Sequence, residues 1–147
     1  MPSPLRPIHP DFQSVLETKD QSLVELYIDL RNFVLELYPE TNELLYHTHA
    51  LTSLFTPSEK MSDGFCHIPI YSEHLNLGFN EGTLLADPHG LLKGTGKLIR
   101  HVPVKEIADY RNPEVKALLQ QAIVMALDDL AAAPKSKGKT ISKIKKK

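Results

Sequence analysis

The chain has 147 residues, 41% hydrophobic and 24% charged, a composition typical of one globular domain with a single core. No stretch approaches the roughly 18 apolar residues of a membrane helix, and the N-terminus carries prolines where a signal peptide has an apolar run. The one cysteine, Cys66, excludes an intrachain disulfide and multi-cysteine metal sites. We therefore expect a cytoplasmic protein that uses Cys66 as a small core residue.

Charge is distributed unevenly along the chain. Residues 1–133 carry ten basic and eighteen acidic residues, whereas residues 134–147 carry seven lysines and no acid. Because the tail has only two isoleucines to bury, the sequence predicts a single domain over 1–133 and a disordered lysine-rich tail over 134–147. Such a polycation either binds nucleic acid weakly through counterion release or only aids solubility. The acidic body is untypical of a nucleic-acid-binding domain.

Two helices are predicted before residue 40. Residues 11–17 have room for one or two helical turns. From residue 20 to 38, apolar residues recur at intervals of three and four, which is typical of a helix that packs on a core. Thr18 and Gln21 have the spacing of a capping box at its start, and Pro39 marks its end. The opposite flank of this helix carries the acidic residues Glu25, Asp29 and Glu36.

Between residues 43 and 80 the polarity alternates with a period of two, which indicates antiparallel strands. The predicted strands span residues 44–49, 51–56, 64–71 and 74–80. Only Ser72 and Glu73 separate the last two strands, so we expect a tight hairpin there.

Beyond the hairpin, the pattern predicts a short helix, a strand and a long helix. The short helix has Asp87 as its N-cap and Gly94 just past its end. Residues 97–103 are predicted to form a strand. Asn112 followed by proline opens the last helix, whose apolar stripe continues to Leu130. These elements predict an α+β fold in which N- and C-terminal helices back one face of an antiparallel sheet of four to six strands and leave the other face wet.

The wet face of the predicted sheet gathers groups that can bind a ligand. In both strands of the hairpin, imidazole, phenol and amide side chains alternate with apolar residues and so share one face. On the next strand, parity leaves open whether Lys97 and His101, or Arg100, join them. Such groups coordinate a divalent metal or hold an anion, or they are half-exposed strand residues without a ligand. The candidate ligand-binding residues are His67, Tyr71, His74, Asn76, Lys97, Arg100 and His101.

Two further motifs are weaker candidates for a binding site. His47 and His49 share a strand face and can both reach one metal ion, but no third ligand accompanies them. The glycines before Lys97 suggest a phosphate loop, yet leucines stand where that motif needs a glycine and a hydroxyl residue. We interpret these glycines as a tight connection into the strand, with phosphate binding through backbone amides as the alternative. No recognisable nucleophile–histidine or carboxylate pair is present, so no catalytic residue is predicted.

A family resemblance rests on residues 52–104. The segments NLGF, DPHGLLKGTGK and RH follow one another between His74 and Val104. In these segments the chain resembles the YdhG-like domain family, whose function is mostly unknown. The resemblance implies a compact fold with a helix-backed antiparallel sheet. Some members are described as frataxin-like iron chaperones, which makes iron a possible ligand, with Glu25, Asp29 and Glu36 as candidate metal-binding residues.

The sequence therefore favours a small non-enzymatic binding protein that is a metal or iron carrier. One alternative is a site for a small anionic metabolite at His74, Asn76, Lys97, Arg100 and His101, with acid–base chemistry as an option. Another alternative is a protein-interaction adaptor that uses the lysine tail.

Overall fold

Three α-helices and a six-stranded mixed sheet form the described part of the protein, residues 2–130 and 137–145 of a computed structural model. The helices are α1 (Pro10–Leu16), α2 (Gln21–Leu37) and α3 (Pro113–Asp128). The strands are β1 (Asn42–His47), β2 (Leu51–Thr56), β3 (Cys66–Ile70), β4 (Leu75–Phe79), β5 (Arg100–Val104) and β6 (Thr140–Ser142). The predicted α+β class, with helices towards both ends of the chain, is confirmed.

The sheet has the strand order β5-β4-β3-β2-β1-β6. The four pairs from β1 to β5 are antiparallel, as the period-two pattern predicts, whereas β6 pairs with β1 in parallel. The amide of Tyr71 donates to the carbonyl of His74 at 2.8 Å, which confirms the tight hairpin between β3 and β4.

Helix α2 buries the predicted apolar stripe and ends before Pro39. The predicted capping box is wrong. Thr18 donates its hydroxyl to the carbonyl of Val15 at 2.6 Å and so closes α1, while Asp20 is the N-cap of α2. A hydroxyl residue between two consecutive helices satisfies either the end of the first or the start of the second, and sequence spacing alone does not distinguish these roles.

Helix α3 begins as predicted. The side-chain oxygen of Asn112 accepts a hydrogen bond from the amide of Val115 at 2.8 Å, and Pro113 occupies the first turn. Its buried residues join those of α1, α2 and one sheet face in a single core. The strand residues of that core are Leu45, Leu51, Phe55, Cys66, Ile68, Ile70, Leu75, Leu77, Phe79, Val102 and Val104.

The short helix predicted after Asp87 does not form. Asp87 instead caps a turn: its carboxylate accepts hydrogen bonds from the amides of Leu91 and Leu92, both at 2.9 Å, and Gly90 has a φ of 63°. Aspartate, proline and glycine serve turns and helix ends equally well. Of residues 88–93, Leu91 and Leu92 alone pack partly against the core, which is too small an apolar face to stabilise a helix.

The tail also differs from the prediction. Residues 137–145 are ordered along the edge of β1, so disorder from residue 134 is wrong for this segment; residues 131–136 and 146–147 lie outside the described part. The side-chain oxygen of Asn42 accepts hydrogen bonds from the amides of Lys137 and Lys139, and the amide of Lys143 donates to Leu45 at 2.6 Å. Backbone pairing with an open sheet edge, together with packing of Ile144 against the core, holds the segment.

A buried ion pair joins four parts of the chain. Arg31 and Glu43 are 1% and 0% exposed, and two hydrogen bonds of 2.8 Å connect guanidinium and carboxylate. Arg31 also donates to the carbonyl of Arg6 at 2.6 Å, and Glu43 accepts from the hydroxyl of Thr140 at 2.9 Å. Bidentate pairing and these extra hydrogen bonds offset the cost of removing both charges from water.

Within residues 2–130 and 137–145, no helix combines the length and apolar character needed to cross a membrane.

Candidate functional site

The strand register decides which candidate residues share the face of the sheet that points away from the core. His67 on β3 lies opposite Gly78 on β4, and Gly78 lies opposite His101 on β5. Directly opposed residues point to the same side of a sheet, so His67 and His101 share this open face. Asn76, two residues before Gly78, lies there as well.

Arg100 is not part of this group. It pairs with Phe79, whose side chain is in the core, and its guanidinium donates to the carbonyl of Gly96 at 3.1 Å. Lys97 lies outside β5 in an exposed connection, where its carbonyl accepts from the hydroxyl of Thr83. The structure therefore places His101 on the open face, while Arg100 is the first residue of β5 on the opposite face and Lys97 belongs to the loop before β5.

His67 lies flat against Gly78. A Cβ at residue 78 would come within 2.2 Å of the His67 Nε2 atom, so only glycine leaves room for the ring. The ring Nδ1 atom forms a 2.9 Å hydrogen bond with the side-chain oxygen of Asn80. Burial, helped by the neighbouring His101, lowers the pKa of His67 despite this hydrogen bond. His67 is therefore neutral near pH 7.

His101 and His74 continue the series. Burial, and then the charge of His74, lowers the pKa of His101. His74 is exposed at the start of β4, where its ring stacks on Tyr71 with centroids 4.7 Å apart. Three imidazoles thus lie close enough for each to influence the next electrostatically. We call His67, His101 and His74 the imidazole row.

The remainder of the open face is not wet. Leu44 on β1 and Leu54 on β2 point away from the core but are only 0% and 3% exposed. Residues 57–64 fold against this end: a Cβ at Gly64 would come within 2.8 Å of Leu54 Cδ2. The expectation of a wet face is therefore wrong for the part that Leu44 and Leu54 occupy, whereas the part formed by β3, β4 and β5 exposes polar groups.

The predicted acidic metal ligands have structural partners. Arg111 donates from Nε to Asp29 at 2.8 Å and from its two terminal nitrogens to Glu36 at 3.0 and 2.9 Å, and the Tyr110 hydroxyl also donates to Asp29. Although burial opposes it, this hydrogen bonding lowers the pKa of Asp29. Asp29 and Glu36 therefore attach α2 to the start of α3 and do not form, with Glu25, a set of three vacant oxygen ligands.

No group of three His, Cys, Asp or Glu residues arranged to hold a metal ion occurs in the described part of the chain. His47 and His49 are exposed where β1 turns into β2. The imidazole row is consequently not a preformed three-ligand metal site.

The sequence analysis named Lys97 and Arg100 but did not recognise that they form, with Lys93 and Lys105, a basic edge beside the imidazole row. Residues 88–105 contain no acid, and among the described residues no ion pair reaches the cations of this stretch. The backbones of Lys93 and His101 form an antiparallel pair through two hydrogen bonds of 2.7 and 3.0 Å, so the two side chains lie side by side. The signal was present as an eighteen-residue stretch without an acid in an acidic body. The basic edge comprises Lys93, Lys97, Arg100 and Lys105.

Comparison with known proteins found no matching family model, no matching curated protein and no matching solved structure. The exposed part of the sheet face and the basic edge beside it are therefore the basis for any functional assignment.

Proposed function

We propose that this protein is a non-enzymatic cytoplasmic binding protein that holds a small anionic ligand, with a phosphate or carboxylate group, on the exposed face of β4 and β5. The observation that carries the proposal is the basic edge next to the imidazole row, because its cations have no carboxylate partner among the described residues. Cations without partners attract anions and form charge-assisted hydrogen bonds with them. The resemblance to the YdhG-like family remains part of this proposal and names no ligand.

The chemistry of the face suits an anion. Lys93 offers an ammonium group, Asn76 an amide, and His101 a ring nitrogen beside Lys93. Because burial and the charge of His74 disfavour protonated His101, a bound anion would offset both effects and raise its pKa. Linkage then requires affinity to increase as the pH falls from 7.5 towards 6.

A role as a carrier of iron or another metal is the less favoured alternative. Its predicted oxygen ligands Asp29 and Glu36 are held by Arg111, which supplies the positive charge that a metal would bring. Binding a metal there would first have to break these ion pairs.

The test is calorimetric titration of the full-length protein with pyrophosphate and with citrate at low salt. Lys93→Gln combined with His101→Gln should weaken binding at least tenfold, because two charge-assisted hydrogen bonds are lost. The matched control is Lys116→Gln with His49→Gln, which removes the same groups from exposed positions elsewhere.

An equal loss in the two double variants would mean that only net charge attracts the ligand and would refute the site. If neither anion binds at concentrations up to about 10 mM, where even weak metabolite binding is detectable, the proposal as a whole is refuted.

A further inference from the structure

A second concave site lies on the helix side of the sheet, between the C-terminal half of α3 and the adjoining ends of β3 and β4. It is a cavity of about 50 Å³. Its apolar lining consists of Phe65, Phe79, Leu85, Ala122, Met125 and Ala126.

The lining of this cavity also includes three acidic residues, Asp63, Glu81 and Asp129, which we call its rim. Asp63 accepts a hydrogen bond of 2.6 Å from the hydroxyl of Ser58, and no ion pair from the described residues reaches any of the three. The cavity lining therefore combines apolar side chains with the negative charge of the rim.

The end of α3 adds to the negative potential. The C-terminal end of a helix carries partial negative charge, which a lysine or arginine in the last turn can offset. The last turn of α3 contains no basic residue, and the helix ends instead at Asp128 and Asp129. A cation bound beside Asp129 would therefore interact favourably both with the carboxylate and with the helix end.

We propose that this cavity binds a free primary aliphatic amine, with the alkyl stem inside and the ammonium group between the rim carboxylates. A water-sized group occupies about 10–15 Å³ of such a volume, so the interior holds a stem of about four carbon atoms. We call it the amine pocket.

The two halves of the pocket select this ligand class together. A simple metal cation leaves the apolar interior unfilled, and an uncharged alcohol lacks the charge attraction between an ammonium group and the rim. Anions, the ligands proposed for the open face, are repelled. The amine pocket is therefore independent of the proposed function, and either can fail without the other.

The first experiment titrates the full-length protein with methylamine, ethylamine, propylamine and butylamine, followed by calorimetry and by amide chemical shifts around Ala126. Affinity should increase about fourfold with each added methylene, because each carbon leaves water for the apolar interior. Butanol should bind at least tenfold more weakly than butylamine. A series without chain-length dependence, or shifts away from α3, would overturn the proposal.

The second experiment compares two adjacent aspartates. Asp129→Asn should weaken butylamine binding about tenfold, whereas Asp128→Asn, with the same change of charge on the same helix end but no part in the cavity lining, should change it less than twofold. Ala126→Leu, which fills the interior, should abolish binding, with circular dichroism showing that the variant is folded. Equal effects of the two aspartate variants, or full affinity in folded Ala126→Leu, would refute the amine pocket.

Discussion

Gly78 is the residue on which the position of His67 depends. A methyl group there would lie 2.2–2.7 Å from three atoms of the imidazole ring, so the ring has to move and lose its hydrogen bond with Asn80. We expect Gly78→Ala to lower the free energy of unfolding by about 1–3 kcal/mol, the usual cost of overpacking. Urea denaturation of the two proteins measures the difference.

A double-mutant cycle gives the control. In a His67→Ala background the ring is gone, and Gly78→Ala should cost much less than in the wild type. If Gly78→Ala has the same cost in both backgrounds, the contact with His67 is not the reason for glycine.

His67 should also make stability depend on pH. Its pKa in the folded protein is below the usual value of about 6.5, so the unfolded chain takes up the proton first as the pH falls. Its contribution to stability is therefore present above pH about 6.5 and lost below it. Denaturation at pH 7.5 and 5.5 should show a smaller pH effect in His67→Gln than in the wild type; an identical pH effect would argue against a buried neutral imidazole.

At the scale of elements, Arg111 holds α2 and α3 together. It bridges Asp29 and Glu36, and its guanidinium also lies 5.3 Å from the ring centroid of Phe33. These groups are partly exposed, so solvent weakens the interaction. Arg111→Met should lower the free energy of unfolding by about 1–2 kcal/mol. The melting temperature of Arg111→Lys should lie between those of the wild type and Arg111→Met, because lysine keeps the charge but not the bidentate geometry. A melting temperature of Arg111→Met equal to that of the wild type would contradict this role.

The tail strand should stabilise the edge of β1. Deleting residues 137–147 removes the partners of the Glu43 amide and the Leu45 carbonyl. We expect a lower melting temperature and faster hydrogen exchange at the Glu43 amide, since its hydrogen bond to Lys139 is lost. Replacing Lys143 and Lys145 by glutamine should leave both quantities nearly unchanged, because backbone pairing and not charge holds the strand. A similar loss in that variant would point to an electrostatic role.

An element can be predicted from the sequence when the residues that stabilise it lie close to it along the chain. Helices α2 and α3 and strand β2 were predictable because a regular apolar period and flanking proline or asparagine act within a few residues. The turn at Asp87 uses the same capping residue as a helix but has only Leu91 and Leu92 to pack, in part, against the core. The tail strand has no local signal, because its partner is the backbone of β1, 97 residues earlier at the Thr140–Glu43 contact.

The candidate site was predictable only in part for the same reason. Alternation correctly placed the polar groups of β3 and β4 on one face, but the choice between His101 and Arg100 required the register of β4 against β5. Arg111 lies 82 and 75 residues from Asp29 and Glu36 along the chain, so the neutralised acidic flank was invisible to sequence reasoning.

At the scale of the whole molecule, the Arg31–Glu43 pair connects the N-terminal segment, α2, β1 and β6. Glu43→Gln would leave the Arg31 guanidinium buried without its counter-charge, and we expect a loss of about 3–5 kcal/mol in the free energy of unfolding. Arg31→Met combined with Glu43→Leu should recover a large part of that loss, because no charge is then buried. Chemical denaturation measures both, and a double variant no more stable than Glu43→Gln would contradict this explanation.

The contact between Glu43 and Thr140 has a consequence for how the protein is made. A ribosome adds about 5–20 residues per second, so the 97 residues between the two partners take about 5–20 s to synthesise. During that interval the nascent chain carries an uncovered strand border with vacant amides and carbonyls, the kind of surface through which newly made polypeptides aggregate.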